Sequence, residues 1–248
     1  MTSIIPSTLC YANVRHLCVT VRQKLMLWAG LLIILFLISF SGQAQECLLD
    51  EQLRKMGLLN LQQEIPEILV DLRYSGKGNF LGQDVYGCLQ NAYAHPLMAE
   101  KLRKAAGILQ KKYPSLRLLV FDAARPLHCQ QALWDAMPLP ESKKHIYVAN
   151  PKRGSIHNYG LAIDMTLTDS KGKPLDMGTE FDYFGELAQP RCEKKMLRSG
   201  KLSGKQIRNR LILRSAMLEA GFSITSSEWW HFNACPLRKA KALYRIIP

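Results

Sequence analysis

Ser155-Ile156-His157-Asn158-Tyr159-Gly160-Leu161-Ala162-Ile163-Asp164 is the stretch on which the reading of this chain turns. It sets an imidazole and a carboxylate seven residues apart. On one straight strand an odd separation puts two side chains on opposite faces, so His157 and Asp164 meet at one point only if the backbone bends between them. Asn158-Tyr159-Gly160 supplies the bend, because glycine adopts backbone angles that other residues resist. Leu161–Leu167 (LAIDMTL) alternates apolar and polar residues and reads as a strand from which Asp164 projects. Imidazole and carboxylate are ligands of catalytic zinc, which takes three protein ligands and keeps one open position. Alone, the pair reads as well as a surface histidine in a turn followed by a strand aspartate.

Two further clusters change that balance. Glu228-Trp229-Trp230-His231-Phe232 puts a second carboxylate and imidazole among large apolar rings. Rings that exclude water strengthen electrostatics and raise a carboxylate's pKa toward the range useful to a base. The plainer reading, an aromatic core strand with a satisfied histidine, weakens because the first pair needs a third ligand. In Asp122-Ala123-Ala124-Arg125-Pro126, the arginine stands where a strand gives way to a helix. A guanidinium beside a helix N-terminus makes a place for developing negative charge, and Asp122 is near enough in sequence to orient it. The alternative is a surface arginine paired to Asp122.

Between these clusters the chain reads as one α+β domain. Residues 64–74 end in a strand, residues 75–95 form a loop, and Pro96 opens a helix that runs to Tyr113. Leu116–Phe121 is a short buried strand, and Pro126 opens a helix to about Met137. Residues 138–154 and 169–203 read as irregular. Gln206–Ala220 is helical and ends at Gly221; Phe222–Thr225 and Glu228–Phe232 read as the last strands. Helices and strands without a regular βαβ repeat predict a small, mostly antiparallel sheet packed with helices.

The three clusters, in this order, resemble the D-alanyl-D-alanine dipeptidases, a zinc peptidase family that also includes cell-wall D,D- and L,D-carboxypeptidases. Ser155, His157, Gly160, Ala162 and Asp164 match its S-x-H-x-x-G-x-A-x-D pattern, and Glu228, Trp230 and His231 match E-x-W-H. The likeness extends through Asp71-Leu72-Arg73-Tyr74, Asn79-Phe80, Asp122–Pro126, Met177-Gly178 and Phe181-Asp182, over roughly residues 65–235. It implies one zinc per chain at the sheet, held by His157, Asp164 and His231. It further implies Glu228 as the base and Arg125 as the oxyanion partner. Tyr74 and Asp182 would lie near the substrate's amino group and Ser155 near its carboxylate, with Asp122 also on the substrate side. The implied substrate is D-Ala-D-Ala or a similar small dipeptide. Ala123-Ala124 departs from the family's usual glycine and aromatic residue. The rival readings are a carboxypeptidase trimming peptidoglycan stems and a silent zinc-containing wall-binding module; Glu228 argues against the second, since a structural site needs no base.

The first 44 residues differ from the rest. Arg15, Arg22 and Lys24 precede the apolar run Leu25–Phe40, and Gly42 and Ala44 then suit a cleavage site. This predicts a signal peptide over 1–44, a mature domain over 45–248, and export, in the periplasm and without stable membrane insertion after cleavage. Removing the segment lowers the formal charge from +13 to +10. A basic exported protein suits anionic partners such as peptidoglycan fragments. The basic run Arg191–Lys205 has no interleaved aromatics, which argues against nucleic acid. Five cysteines survive cleavage, none in CxxC pairs, which argues against cysteine zinc sites, and at least one thiol stays unpaired within the monomer. His95, His128 and His145 read as turn, helix and loop residues outside the site.

Overall fold

The computed structural model describes residues 47–145 and 147–248. The expected signal segment, residues 1–44, lies outside them. The described chain begins with α1 (Leu48–Lys55), β1 (Leu59–Asn60), α2 (Leu61–Glu64), β2 (Leu69–Val70) and β3 (Tyr93–Ala94). Helix α3 (Pro96–Lys112) follows; proline occupies its first turn, and His95 caps it, Nδ1 accepting from the Leu97 amide at 3.1 Å. Strand β4 (Arg117–Asp122), α4 (Leu127–Ala136), α5 (Glu141–Lys144) and β5 (Ala162–Thr168) form the middle of the chain. The last elements are α6 (Glu193–Arg198), α7 (Gly204–Glu219), β6 (Ser223–Ile224), β7 (His231–Asn233) and α8 (Leu237–Leu243). Ser203 and Gln206 cap α7 reciprocally, which starts the helix two residues earlier than its apolar spacing suggests.

Five strands make one sheet in the order β2-β4-β5-β7-β6, parallel only between β2 and β4. Helices α3 and α7 pack on each other, α3 also on β4 and α7 on β5. All seven residues of β5 are buried. Its alternation is therefore one of polarity. Ile163, Met165 and Leu167 point to one face, and Asp164, Thr166 and Thr168 to the other. β1 and β3 form a separate antiparallel pair. Residues 47–248 make a single unit.

Register places the site. Asp164 lies opposite Asp122 on β4 and opposite His231 on β7, so three candidate residues form one row across three strands. A bulge at Phe121 interrupts the β4–β5 ladder just before Asp122, where such a bulge re-aims the next side chain. The bend between His157 and Asp164 is a 3-10 turn, Ile156–Tyr159, closed by Gly160 at φ 62. A Cβ on Gly160 would sit 3.0 Å from the His95 amide nitrogen.

Several expectations need correction. Residues 138–154 include the short helix α5, and residues 64–74 carry β2 but end in a 3-10 turn, Arg73–Ser75. Residues 75–95 include β3, which completes the small pair with β1. Residues 169–203 include α6 and two 3-10 turns, Glu186–Ala188 and Pro190–Cys192. The last strand begins at His231 rather than Glu228. Trp229 and Trp230 are both buried and lie in a bend ahead of the strand. Cys47 and Cys88 form a disulfide; Cys129, Cys192 and Cys235 are free.

Gly160→Ala combines a left-handed backbone with a close approach to another segment. It is expected to lower unfolding stability by about 1–2 kcal/mol or more, read by denaturant unfolding. A loss no larger than that of Gly76→Ala, where the backbone is extended and nothing lies within 4 Å of the added carbon, would show that this bend is not constrained.

Candidate active site

His157, Asp164 and His231 each offer one ligand atom, and the three atoms lie within 4.8 Å of one another. Each imidazole is anchored from behind. His157 Nδ1 lies 2.7 Å from the Ala123 carbonyl, leaving Nε2 toward the cluster. His231 Nε2 lies 2.7 Å from Asn233 Oδ1, leaving Nδ1 2.9 Å from Asp164 Oδ1 and 3.2 Å from His157 Nε2. When each outer nitrogen carries the donated proton, two lone pairs and a carboxylate face one point. That donor set fits a divalent cation, with anchoring partners of the kind that orient metal-binding imidazoles.

Charge is finely balanced here. Burial opposes ionisation of Asp164, yet His157 and His231 hold its carboxyl far below the usual range. Burial likewise pulls His231 down, but the Asp164 carboxylate lifts it to about 9. Glu228 stands beside the cluster, its Oε2 4.0 Å from His231 Nδ1. Burial raises its carboxyl, with His231 acting against the rise.

Arg125 is held on three sides. Its Nε and Nη2 donate to Asp122 Oδ2 at 2.9 and 2.5 Å, and Nη1 donates to Gln130 Oε1 at 2.9 Å. Its guanidinium carbon lies 4.9 Å over the Tyr74 ring, and Nη2 lies 3.7 Å from Asp164 Oδ2. The backbone is fixed as well: Arg125 N donates to His157 O at 3.0 Å, and Asn158 Nδ2 donates to Arg125 O at 2.8 Å. The turn bearing His157 and the corner bearing Arg125 are thus one unit.

Tyr74, Arg125, Ser155, His157, Asp164, Asp182, Glu228 and His231 line a single cavity of about 320 Å³. Asp122, expected on the substrate side, does not. It is fully buried behind Arg125, its Oδ1 accepting from Tyr86 Oη at 2.5 Å. It faces protein on all sides because it neutralises the guanidinium. Ser155 Oγ accepts from the His157 amide at 3.3 Å, so this hydroxyl caps the turn as well as facing the cavity. Tyr74 Oη donates to Asp182, 3.2 and 3.1 Å from its two oxygens. Burial, and then the charge of Asp164, push Asp182 up to about 8. His145, read as a plain loop residue, also lines the cavity. His128 is set against Pro248 O instead.

Sequence reading missed Tyr86, Gln130 and Asn233. Asn233 had a signal, since two residues beyond His231 on a strand is the same face. Gln130 and Tyr86 had none, because only the fold brings them to Arg125 and Asp122.

A metal-type donor cluster, a flanking carboxyl and a fixed guanidinium at one small cavity define a metallopeptidase. The chain belongs to the M15 peptidase family, described as D-ala-D-ala dipeptidase, whose pattern matches residues 54–241. It is 34% identical over 179 residues to the D-alanyl-D-alanine dipeptidase of Escherichia coli (strain K12), covering 71% of this chain and 83% of that protein. A Synechocystis protein of the same name is 32% identical over 162 residues, covering 54% and 66%. One from Enterococcus faecium is 28% identical over 193 residues, covering 72% and 91%.

Asp122→Ala strands a buried guanidinium and is expected to cost about 3–5 kcal/mol of stability. Arg125→Ala in the same background should recover part of it. Denaturant unfolding of the two single variants and the double variant checks this; strictly additive losses would mean the pair is not coupled.

Proposed function

We propose that this protein is an exported zinc dipeptidase that hydrolyses D-Ala-D-Ala and similar small dipeptides. The observation that carries the reading is the meeting of His157, Asp164 and His231 with Glu228, Arg125 and Asp182 at one cavity of about 320 Å³. That volume lies at the lower end for ligand sites and suits a small substrate.

In this reading His157, Asp164 and His231 hold the metal. Two imidazoles and a carboxylate suit zinc, which when bound supplies a Lewis acid that polarises the scissile carbonyl and acidifies a water. Glu228 takes the proton of the attacking water and passes it to the leaving amine. Its raised pKa supports that role, because an ordinary carboxylate is too weak a base to hold the proton between the two steps. Arg125, already fixed by Asp122 and Gln130, presents a preorganised cation to the tetrahedral oxyanion. Asp182 receives the substrate's ammonium group. Among the described residues it is half-buried, accepts from Tyr74 Oη and, at 3.4 Å, from the Phe80 amide, and has no ion pair, so a cationic ligand relieves it. Ser155 sits toward the substrate's carboxylate. Ala123 and Ala124, next to Arg125 in the chain, are buried and do not line the cavity.

Export rests on the charged, apolar and small-residue sequence of residues 1–44. The Cys47–Cys88 bridge suits an oxidising compartment. No helix among the described residues is long and apolar enough to cross a membrane. Peptidoglycan fragments are the expected source of substrate. Amino-terminal sequencing of the native protein should find a start near Gln45; an intact leader would point to an anchor.

His231→Ala is expected to lose most of its zinc and its activity, whereas Glu228→Gln keeps the zinc and fold but loses about 10²–10⁴-fold in kcat. Elemental analysis and steady-state kinetics separate the two. Full zinc in His231→Ala would reject the ligand, and normal turnover in Glu228→Gln would reject the base.

The parent enzyme should also prefer D-Ala-D-Ala over its N-acetyl form by roughly a thousandfold in kcat/KM. Acylation removes the ammonium and leaves the half-buried Asp182 carboxylate without a cation. Comparable values would instead identify a carboxypeptidase, whose site accepts a blocked amino end.

A further inference from the structure

The proposed reaction makes no use of a second buried arginine. Arg210, on α7, is among the largest fully buried side chains. A buried guanidinium is costly unless its donors are met. Nε donates to the Met177 carbonyl at 2.7 Å and Nη2 to the Leu187 carbonyl at 2.9 Å. Nη1 lies 3.4 Å from Glu193 Oε1, and Arg214 holds the same carboxylate at 2.6 and 3.0 Å. Met177 and Leu187 are the two ends of one excursion of the chain, and a single planar group ties both. Neighbouring contacts tighten this neck. Asn209 Nδ2 donates to Asp176 O at 2.8 Å. Gly178, at φ 84, stands where an added Cβ would run into Leu202.

At the far end of the excursion are Phe181 and Asp182. Phe181 packs edge-on against Tyr74 and Trp230. Asp182 has φ 59, alone among the described non-glycine residues in having a positive φ. Such a conformation persists only where the surroundings fix it. Arg210 also reaches the residue next to Glu228. Its guanidinium carbon lies 5.7 Å over the Trp229 ring, and Trp229 Nε1 donates to Thr179 Oγ1 within the excursion at 2.8 Å.

We propose that Arg210 is a positioning residue for substrate selection. By closing the neck of the 177–187 excursion it holds Asp182 where the amino end of a dipeptide binds, and without it the enzyme discriminates less against amino-blocked peptides. This rests on the reading of Asp182 as the ammonium partner. Arg210 itself touches neither the substrate cavity nor the metal cluster.

Arg210→Lys keeps a cation but has no planar fork with which to reach both carbonyls. The zinc-loaded variant, the parent and Asp182→Asn are compared by kcat and KM for D-Ala-D-Ala and for its N-acetyl form. In Arg210→Lys, KM for the free dipeptide should rise roughly tenfold, the scale of one charge-assisted contact. The preference for the free over the blocked form should shrink as it does in Asp182→Asn. Zinc content should be unchanged, and amide exchange should quicken across residues 177–187. An equal loss on both substrates, or a lowered Tm with the preference intact, would overturn the proposal and leave Arg210 a core ion pair. If Asp182→Asn itself keeps the preference, the ammonium reading fails and takes this proposal with it. Should Arg210→Lys not fold, Asn209→Ala opens the same neck more mildly. It should show the same selective change on a smaller scale, and an unchanged preference there overturns the proposal.

Discussion

Asp164 carries charge at the centre of a sheet, where charge is costly, and the rest of the site answers to it. Strand register sets His231 on one side of it and Asp122 on the other. A carboxylate so placed must be compensated. Two imidazoles and the edge of the Arg125 guanidinium supply that compensation. Asp122 then balances Arg125 from behind, and Tyr86 and Gln130 complete the set. The 3-10 turn, the bulge at Phe121 and the corner before α4 can each be understood as backbone adjustments that let these groups converge.

The same environment sorts the remaining carboxyls. Glu228 and Asp182 are both raised by burial, but their neighbours differ. Glu228 is beside the His231 imidazole at the mouth of the cluster, a place for moving protons. Asp182 is backed by a tyrosine hydroxyl and aromatic rings, a place for holding a cation. Two acids of similar intrinsic strength are thereby suited to different tasks by what surrounds them.

Much of this was legible in the chain itself. The odd spacing of His157 and Asp164, with glycine at the bend, foretold the turn and the strand. Pro96, Pro126 and Gly221 marked helix boundaries close to the observed ones. What escaped reading depends on distant parts of the chain. The pairing of Leu59-Asn60 with Tyr93-Ala94 involves two residues a side, too few for a periodic signal. The bent course of Glu228-Trp229-Trp230 is set by packing that a local strand pattern does not express. Asp122 was placed with the substrate on the resemblance over Asp122–Pro126; only packing reveals that it stands one layer behind Arg125.

The row formed by Asp122, Asp164 and His231 has a meaning for folding as well. Sliding β7 by a single residue would set Trp230 or Phe232 opposite Asp164 and turn the imidazole to the other face. The short strand has only three residues with which to choose its partner alignment. A cation that requires both imidazoles and the carboxylate would bind one alignment and ignore its neighbours, shifting the population toward the native sheet by mass action. The ion would then act as a proofreader of strand alignment, and chains that close the sheet out of step would be told apart by their inability to retain it.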